Sequence, residues 1–87
     1  MPKPEIVVWI KPYCPWCHGV LNMLKKHGLS YDARDVIAYQ RYYDEMVQLT
    51  NQEKAPCVRI DGNLLADTSD DEVEAWLTGK GYLKKKG

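Results

Sequence analysis

The sequence predicts one small α/β domain over residues 1–87, with a four-stranded sheet flanked by three helices. Three observations favour this fold class. A continuous apolar, β-branched run near the start is typical of a strand covered on both faces. A segment with helical periodicity follows it and begins with proline, which suits a first helical turn. An Asp-Gly pair and a capping box near the end predict a hairpin and then a closing helix, which gives the order β-α-β-α-β-β-α.

The first strand is predicted over Glu5–Lys11 and the first helix over Pro15–His27. Gly28 is a natural stop, because glycine adopts the left-handed conformation that ends many helices. Gly19 would let this helix approach a neighbour closely. Its apolar stripe consists of Val20, Leu21 and Leu24.

A second strand is predicted over Ser30–Val36, where apolar and polar residues alternate. A second helix is predicted over Ala38–Thr50, because its aromatic and aliphatic residues recur at helical spacing. Stripes of this kind are usually core, so we predict that these side chains are buried. They are Tyr39, Tyr42, Tyr43, Met46, Val47 and Leu49.

The C-terminal part is predicted to be a hairpin followed by a helix. The third strand is predicted over Pro56–Ile60 and the fourth over Asn63–Ala66, with Asp61-Gly62 as the turn between them. Ser69 is predicted to cap the last helix, and Glu72 to reach back and complete a capping box. That helix buries one face through Val73, Trp76 and Leu77.

Composition and charge exclude several classes of protein. The formal net charge is zero, which argues against binding to nucleic acid or to a membrane surface. The apolar run Ile6–Ile10 is too short for a signal peptide core or a membrane span, so a cytoplasmic protein is expected. A monomer is also expected. Three cysteines in a reducing compartment do not make a disulfide framework. The basic run Lys84–Lys86 is interpreted as a solvated tail.

The segment Cys14-Pro15-Trp16-Cys17 has the spacing of a redox dithiol. Cys14 is predicted at the start of a helix, where open backbone N–H groups and the positive end of the dipole stabilise a thiolate. Lys11 adds a nearby positive charge. Cys17, one helical turn further on, is placed to attack a mixed disulfide formed on Cys14. Trp16 is either an apolar wall beside the sulfur or an ordinary exposed helix residue.

The same cysteines also allow other chemistries. With His18 added, the segment spells a haem attachment motif, but so small a predicted core leaves no room for a porphyrin. We therefore interpret His18 as an exposed bystander. A zinc site formed by Cys14, Cys17, Cys57 and a histidine lacks the usual spacing of a second ligand pair. An iron–sulfur cluster bridging two chains is disfavoured by Pro15, which removes a backbone N–H, so no metal is expected.

Taken together, the residues resemble a glutaredoxin. The resemblance rests on Lys11–Cys17, on the helix ending at Gly28, on Tyr31–Val36 and on Ala55-Pro56 opening the third strand. It implies the thioredoxin fold, a cis peptide bond before Pro56, and catalytic roles for Cys14 and Cys17. It also implies that Ala55 offers its backbone to an extended cysteinyl substrate.

The resemblance further implies that glutathione is held as a co-substrate in a groove beside the dithiol. The residues assigned to it are Lys11, Tyr13, Trp16, Ala55, Pro56, Thr68 and Ser69. Two departures stand out. Ala66-Asp67 replaces the usual Gly-Gly pair and places a carboxylate near an anionic ligand, which Lys54 could offset. Cys57 follows the proline, and it is a third redox thiol, a glutathionylation site or, the interpretation we favour, a buried strand residue.

The predicted function is therefore that of a glutathione-dependent thiol–disulfide oxidoreductase. It reduces protein disulfides and glutathione mixed disulfides, so its partners are glutathione and disulfide-containing proteins. One alternative is a glutaredoxin-like electron donor reduced by thioredoxin reductase, which Asp67 keeps open. The other is a non-enzymatic redox-sensing or metal-binding module that uses Cys14, Cys17 and Cys57.

Overall fold

A computed structural model describes residues 4–83, and the predicted basic run Lys84–Lys86 lies outside that range. The predicted architecture of a four-stranded mixed sheet with three helices is confirmed. In chain order the elements are β1 (Ile6–Ile10), α1 (Pro15–Lys26), β2 (Asp32–Asp35), α2 (Gln40–Thr50), β3 (Cys57–Ile60), β4 (Asn63–Leu65) and α3 (Asp70–Gly79). None of the helices in this range is both long and apolar enough to cross a membrane.

The strands lie in the order β2-β1-β3-β4, so β1 is an inner strand, as its apolar run predicts. It pairs in parallel with β2 and antiparallel with β3, and β3 and β4 form an antiparallel hairpin. Trp9, near the end of β1, lies opposite Cys57, the first residue of β3. The C-terminal end of β1 and the N-terminal end of β3 therefore lie side by side at the same end of the sheet.

The two faces of β1 are covered by different helices. Ile6 and Val8 belong to a buried cluster with residues of α1 and α3, such as Leu24 and Leu77. Val7 and Trp9 face the other way and pack in a second cluster that includes Met46 of α2. This double burial is the reason for the uninterrupted apolar sequence of the strand.

β1 is shorter than predicted by one residue at each end, because the backbone N–H groups there donate to side chains instead of to a neighbouring strand. The N–H of Glu5 donates to the Asp61 carboxylate at 2.8 Å, and the N–H of Lys11 donates to the Cys17 sulfur. These groups are therefore withdrawn from the sheet ladder. Pro56 likewise precedes β3 instead of opening it, since it has no N–H to donate.

The prediction that the whole aromatic stripe of α2 is core was wrong for its ends. Met46 is fully buried, and Tyr42 and Tyr43 pack against the second cluster while staying half-exposed. Tyr39, however, occupies the N-cap position without a side-chain capping hydrogen bond and is 53% exposed, and Leu49 is also exposed. Helical spacing extended the stripe past the residue at which the helix begins.

The predicted cap of α3 is present in part. The Ser69 hydroxyl accepts a hydrogen bond from the backbone N–H of Glu72 at 3.3 Å. The Glu72 carboxylate lies 3.5 Å from the hydroxyls of Thr68 and Ser69. Gly19 of α1 allows the close approach that was predicted, because a Cβ there would lie 3.3 Å from the Asp70 side chain.

Candidate active site

Cys14 occupies the N-cap of α1, directly after the turn that follows β1. Its backbone is extended, and its N–H donates to the Lys11 carbonyl at 3.0 Å, which closes the turn. Pro15 then supplies the first helical residue. The sequence thus places one cysteine where helix N–H groups converge, and its side chain is partly exposed.

His18 takes a part in this turn that the sequence did not indicate. Its Nε2 lies 2.6 Å from the Pro12 carbonyl oxygen. A carbonyl can only accept, so this ring nitrogen carries the proton and donates. His18 is exposed, as predicted, yet it ties α1 to the turn that carries Cys14.

Cys17 lies one turn into the helix, and only 1% of its surface is exposed. Its sulfur accepts a hydrogen bond from the Lys11 N–H at 3.4 Å. Burial raises the pKa of the Cys17 thiol to about 12, the Lys11 hydrogen bond opposes that rise, and the adjacent Cys14 thiol adds to it. The two cysteines are close together and chemically unlike, one open to partners and the other a buried thiol.

Two aromatic side chains flank the accessible cysteine in the sequence, and both extend into solvent. Tyr13 is 71% exposed and Trp16 is 65% exposed. Large apolar groups at such exposure lie at the surface around Cys14 instead of in the core. Lys11, three residues before Cys14, is half-buried.

The loop before β3 lies at the same end of the sheet as Cys14. The Ala55–Pro56 peptide bond is cis, as the resemblance implied. Pro56 is buried, and its carbonyl accepts a hydrogen bond from the Thr68 N–H at 2.9 Å. Thr68, predicted as a ligand residue, is itself only 5% exposed and joins the α3 cap to the proline loop.

Cys57 is fully buried in the second core cluster beside Trp9 and Met46. Burial raises the pKa of its thiol, while hydrogen bonds from the Asp67 backbone and the Gln52 side chain partly oppose that rise. The favoured prediction, a buried strand residue, agrees with this position. The alternation of β3 had left its facing open, and the structure directs it toward α2.

The position at which the sequence departs from Gly-Gly has a special backbone conformation. Asp67 has a φ of +47°, in the left-handed region, and its side chain is exposed. The adjacent Ser69 hydroxyl is engaged in capping α3. Within residues 4–83, no group of three or more His, Cys, Asp or Glu side chains is arranged to hold a metal ion.

A mixed sheet of this topology, with a Cys-x-x-Cys pair at a helix start beside a cis-proline loop, defines a thiol–disulfide oxidoreductase of the thioredoxin fold. The family model of glutaredoxin matches residues 6–65, which is more than half of the chain. The chain belongs to the glutaredoxin family.

Individual relatives agree with this assignment. An uncharacterised glutaredoxin-like 8.6 kDa protein in a rubredoxin operon of Clostridium pasteurianum is 28% identical over 69 residues, which cover 79% of this chain and 92% of that protein. The crystal structure of the thioredoxin-like protein BC3987 is similar with a TM-score of 0.74 at 25% identity, over 82% of this chain and 97% of that one. A buckwheat glutaredoxin–glutathione complex is similar with a TM-score of 0.69 at 25% identity, over 88% of this chain and 72% of that one.

Proposed function

We propose that this protein is a dithiol enzyme that reduces glutathione mixed disulfides and protein disulfides in the cytoplasm, with glutathione as its co-substrate. The observation that carries the proposal is the contrast between the two cysteines. Cys14 is accessible at the N-terminus of α1, whereas Cys17 is buried and its thiol has a pKa raised to about 12. Such a pair separates an attacking sulfur from a resolving one.

The first step is attack by the Cys14 thiolate on a sulfur of the substrate disulfide. A new S–S bond forms to Cys14, the substrate S–S bond breaks, and the other half leaves as a thiolate that takes a proton from solvent. Cys14 lies at the N-cap of α1, where the positive end of a helix dipole favours negative charge.

The second step depends on the substrate. With a protein disulfide, Cys17 loses its proton and attacks the Cys14 sulfur, which gives a Cys14–Cys17 disulfide and the reduced protein. Two glutathione molecules then reduce that disulfide and are oxidised to one glutathione disulfide. With a glutathione mixed disulfide, Cys14 carries glutathione after the first step. The thiolate of a second glutathione attacks the sulfur of that bound glutathione, which breaks its bond to Cys14, forms glutathione disulfide and regenerates the Cys14 thiolate without Cys17.

Glutathione use is supported by family membership and by the structural similarity to a glutaredoxin that was crystallised with glutathione. In this chain we assign glutathione to the surface formed by Lys11, Tyr13, Trp16, Ala55, Pro56, Thr68 and Ser69. Ala55 would pair with the cysteinyl backbone, and the exposed aromatic rings would pack along it. Because Thr68 is buried and Ser69 caps α3, these two would contribute mainly backbone and shape.

Asp67 favours a second candidate function, that of an electron donor whose disulfide is reduced by thioredoxin reductase. Its exposed carboxylate stands where the family usually has glycine, so it repels an anionic peptide such as glutathione. Supplying the oxidised protein with glutathione plus glutathione reductase, or with thioredoxin reductase, separates the two. Reduction of the protein by glutathione supports the main proposal. Reduction by thioredoxin reductase alone would instead select the second candidate.

A further inference from the structure

The side chain of Gln52 hydrogen-bonds to the backbone of the loop that precedes β3. Gln52 lies between α2 and the cis-proline. Its Oε1 accepts a hydrogen bond from the Lys54 N–H at 2.6 Å, and its Nε2 donates to the Lys54 carbonyl at 2.9 Å. Both backbone hydrogen-bonding groups of Lys54 are therefore occupied by one side chain. An amide side chain can do this because it carries a donor and an acceptor side by side, as a peptide group does.

The Gln52 side chain also contacts the sulfur of Cys57. Its Nε2, which also donates to the Lys54 carbonyl, lies 3.2 Å from the Cys57 sulfur and 3.2 Å from the Thr50 hydroxyl oxygen, so its two hydrogens are shared among three acceptors. The Cys57 thiol donates to the Lys54 carbonyl at 3.1 Å, so the sulfur accepts from Gln52 and donates to the residue that Gln52 holds. We call the hydrogen bonds that Gln52 and Cys57 make to Lys54 the Gln52 clamp. Since Cys57 is fully buried in the second core cluster, the clamp is anchored in the core.

The clamp ends one residue before the position that pairs with substrate. Lys54 has no backbone group left for a partner, whereas the Ala55 backbone takes part in no hydrogen bond within residues 4–83. An incoming extended segment therefore finds no free backbone pairing group at Lys54 and finds them at Ala55. The register of that pairing decides where the substrate sulfur lies relative to Cys14.

We propose that Gln52, anchored by Cys57, is a positioning residue that sets the register in which a disulfide substrate pairs with the chain. The inference rests on the proposed function, because it presumes that Ala55 pairs with a cysteinyl substrate. It also assigns the third cysteine a non-redox role: the Cys57 thiol serves as a hydrogen-bonding anchor.

The test compares a substrate that must pair with the loop and a reagent that needs no pairing. The first probe is the glutathione mixed disulfide of a cysteine-containing peptide, mixed with pre-reduced protein at increasing concentrations. The second is iodoacetamide, which alkylates Cys14 without pairing. We expect Gln52→Ala to lower the second-order rate constant for the disulfide about tenfold, mainly by raising the half-saturation concentration. Its rate of alkylation at Cys14 should equal that of the wild type.

Matched variants distinguish positioning from a loss of stability. Gln48→Ala removes an exposed glutamine from α2 and should leave both rates unchanged. Cys57→Ser keeps a small donor and acceptor and should retain most of the disulfide rate, whereas Cys57→Ala should lose it as Gln52→Ala does. Combining the two alanine variants should add little further loss, because they break the same unit. Gln52→Glu keeps only the acceptor, so its rate constant with the mixed disulfide should lie between those of the wild type and Gln52→Ala.

Wild-type affinity for the mixed disulfide in Gln52→Ala would overturn the positioning role. Equal losses with the disulfide and with iodoacetamide would also overturn it, because the effect would then run through Cys14 itself. A wild-type protein that is alkylated at Cys14 but does not react with the mixed disulfide would instead defeat the proposed function, and this inference with it. The wild-type rates therefore tell the two failures apart.

Discussion

The backbone N–H of Lys11 donates a 3.4 Å hydrogen bond to the buried sulfur of Cys17. This contact links the end of β1 to the first turn of α1 and stabilises negative charge on Cys17 when it forms. Burial outweighs it, so the pKa of Cys17 rises to about 12 and the residue remains a thiol at neutral pH. The first attack on a substrate is therefore left to Cys14, and Cys17 acts only after a mixed disulfide has formed beside it.

The division of labour between the two cysteines predicts opposite effects of their replacement. Cys14→Ser should abolish reduction of every disulfide substrate, because no other exposed sulfur is present among residues 4–83. Cys17→Ser should retain reduction of glutathione mixed disulfides, since glutathione itself resolves the intermediate. Steady-state assays with a glutathione mixed disulfide and with a protein disulfide measure both effects. Full activity of Cys14→Ser would rule the mechanism out.

Differences in accessibility predict selective alkylation. Cys17 and Cys57 are 1% and 0% exposed, and burial raises the pKa of both thiols. At pH 7 a small excess of iodoacetamide should therefore place one adduct on the reduced native protein, at Cys14. In denaturant, all three cysteines should react at similar rates. Peptide mass spectrometry locates the adducts, and early modification of Cys57 in the native protein would contradict its buried position.

The raised pKa of Cys17 predicts a loss of stability at alkaline pH. Below pH 9.0, its ordinary value, Cys17 is protonated in both the folded and the unfolded chain. Above it the unfolded chain loses this proton while the folded chain keeps it up to about pH 12. The unfolded state then binds fewer protons, so the free energy of unfolding falls as pH rises, by at most about 1.4 kcal/mol per pH unit for one group.

Cys17→Ser provides the comparison for this slope, because a hydroxyl does not ionise in that range. Urea unfolding of the reduced proteins at several pH values above 9 should show a shallower decline for the variant. The slopes are compared, since the substitution also alters the absolute stability. Cys57, Tyr43 and Tyr82 have raised pKa values as well, and their contribution is common to both proteins. Equal slopes would show that Cys17 does not titrate as described.

Asp67 predicts a measurable penalty on glutathione binding. An exposed carboxylate near an anionic ligand costs about 0.5–1 kcal/mol at low salt, which corresponds to roughly two- to fivefold in affinity. Asp67→Asn should lower the half-saturation concentration for a glutathione mixed disulfide by that factor, and the gain should shrink in high salt. Asparagine is chosen because it tolerates the left-handed backbone at φ +47°.

Glu5→Gln is the matched control for this charge effect. Glu5 is exposed and precedes β1, whereas Cys14 follows it, so the two residues lie at opposite ends of that strand. Its neutralisation changes the net charge equally but should not alter the kinetics with the mixed disulfide. Identical half-saturation values for wild type and Asp67→Asn would show that the carboxylate does not face the ligand.

Much of the fold could be predicted because local signals and global packing agree. The apolar run of β1, the proline that opens α1 and the Asp61-Gly62 turn each specify one element, and all of them appear. Errors occurred at ends, where side chains compete with the ladder. Spacing alone could not show that Tyr39 precedes α2 at the N-cap position, because helical periodicity continues smoothly across a helix start.

The site could be predicted only as far as its motif residues. Cys14 and Cys17 are local in sequence, and helix geometry fixes their relation. The clamp by Gln52 is different, because it depends on how the chain folds back between α2 and β3. A polar residue in a loop carries no periodic signal, so its hydrogen bonds emerge only with the tertiary structure. The contact of His18 with the Pro12 carbonyl was missed for a different reason, because it depends on the path of the turn before α1, which helical spacing does not specify.

The measurement that tests the central claim most directly locates the first covalent intermediate. Pre-reduced Cys17→Ser protein is mixed with glutathione disulfide, quenched with acid and digested without a reducing agent. Mass spectrometry of the peptides should find a single glutathione adduct, on Cys14, in stoichiometric yield. An adduct on Cys57, or a protein that takes up no glutathione while its Cys14 thiol stays free, would contradict the account.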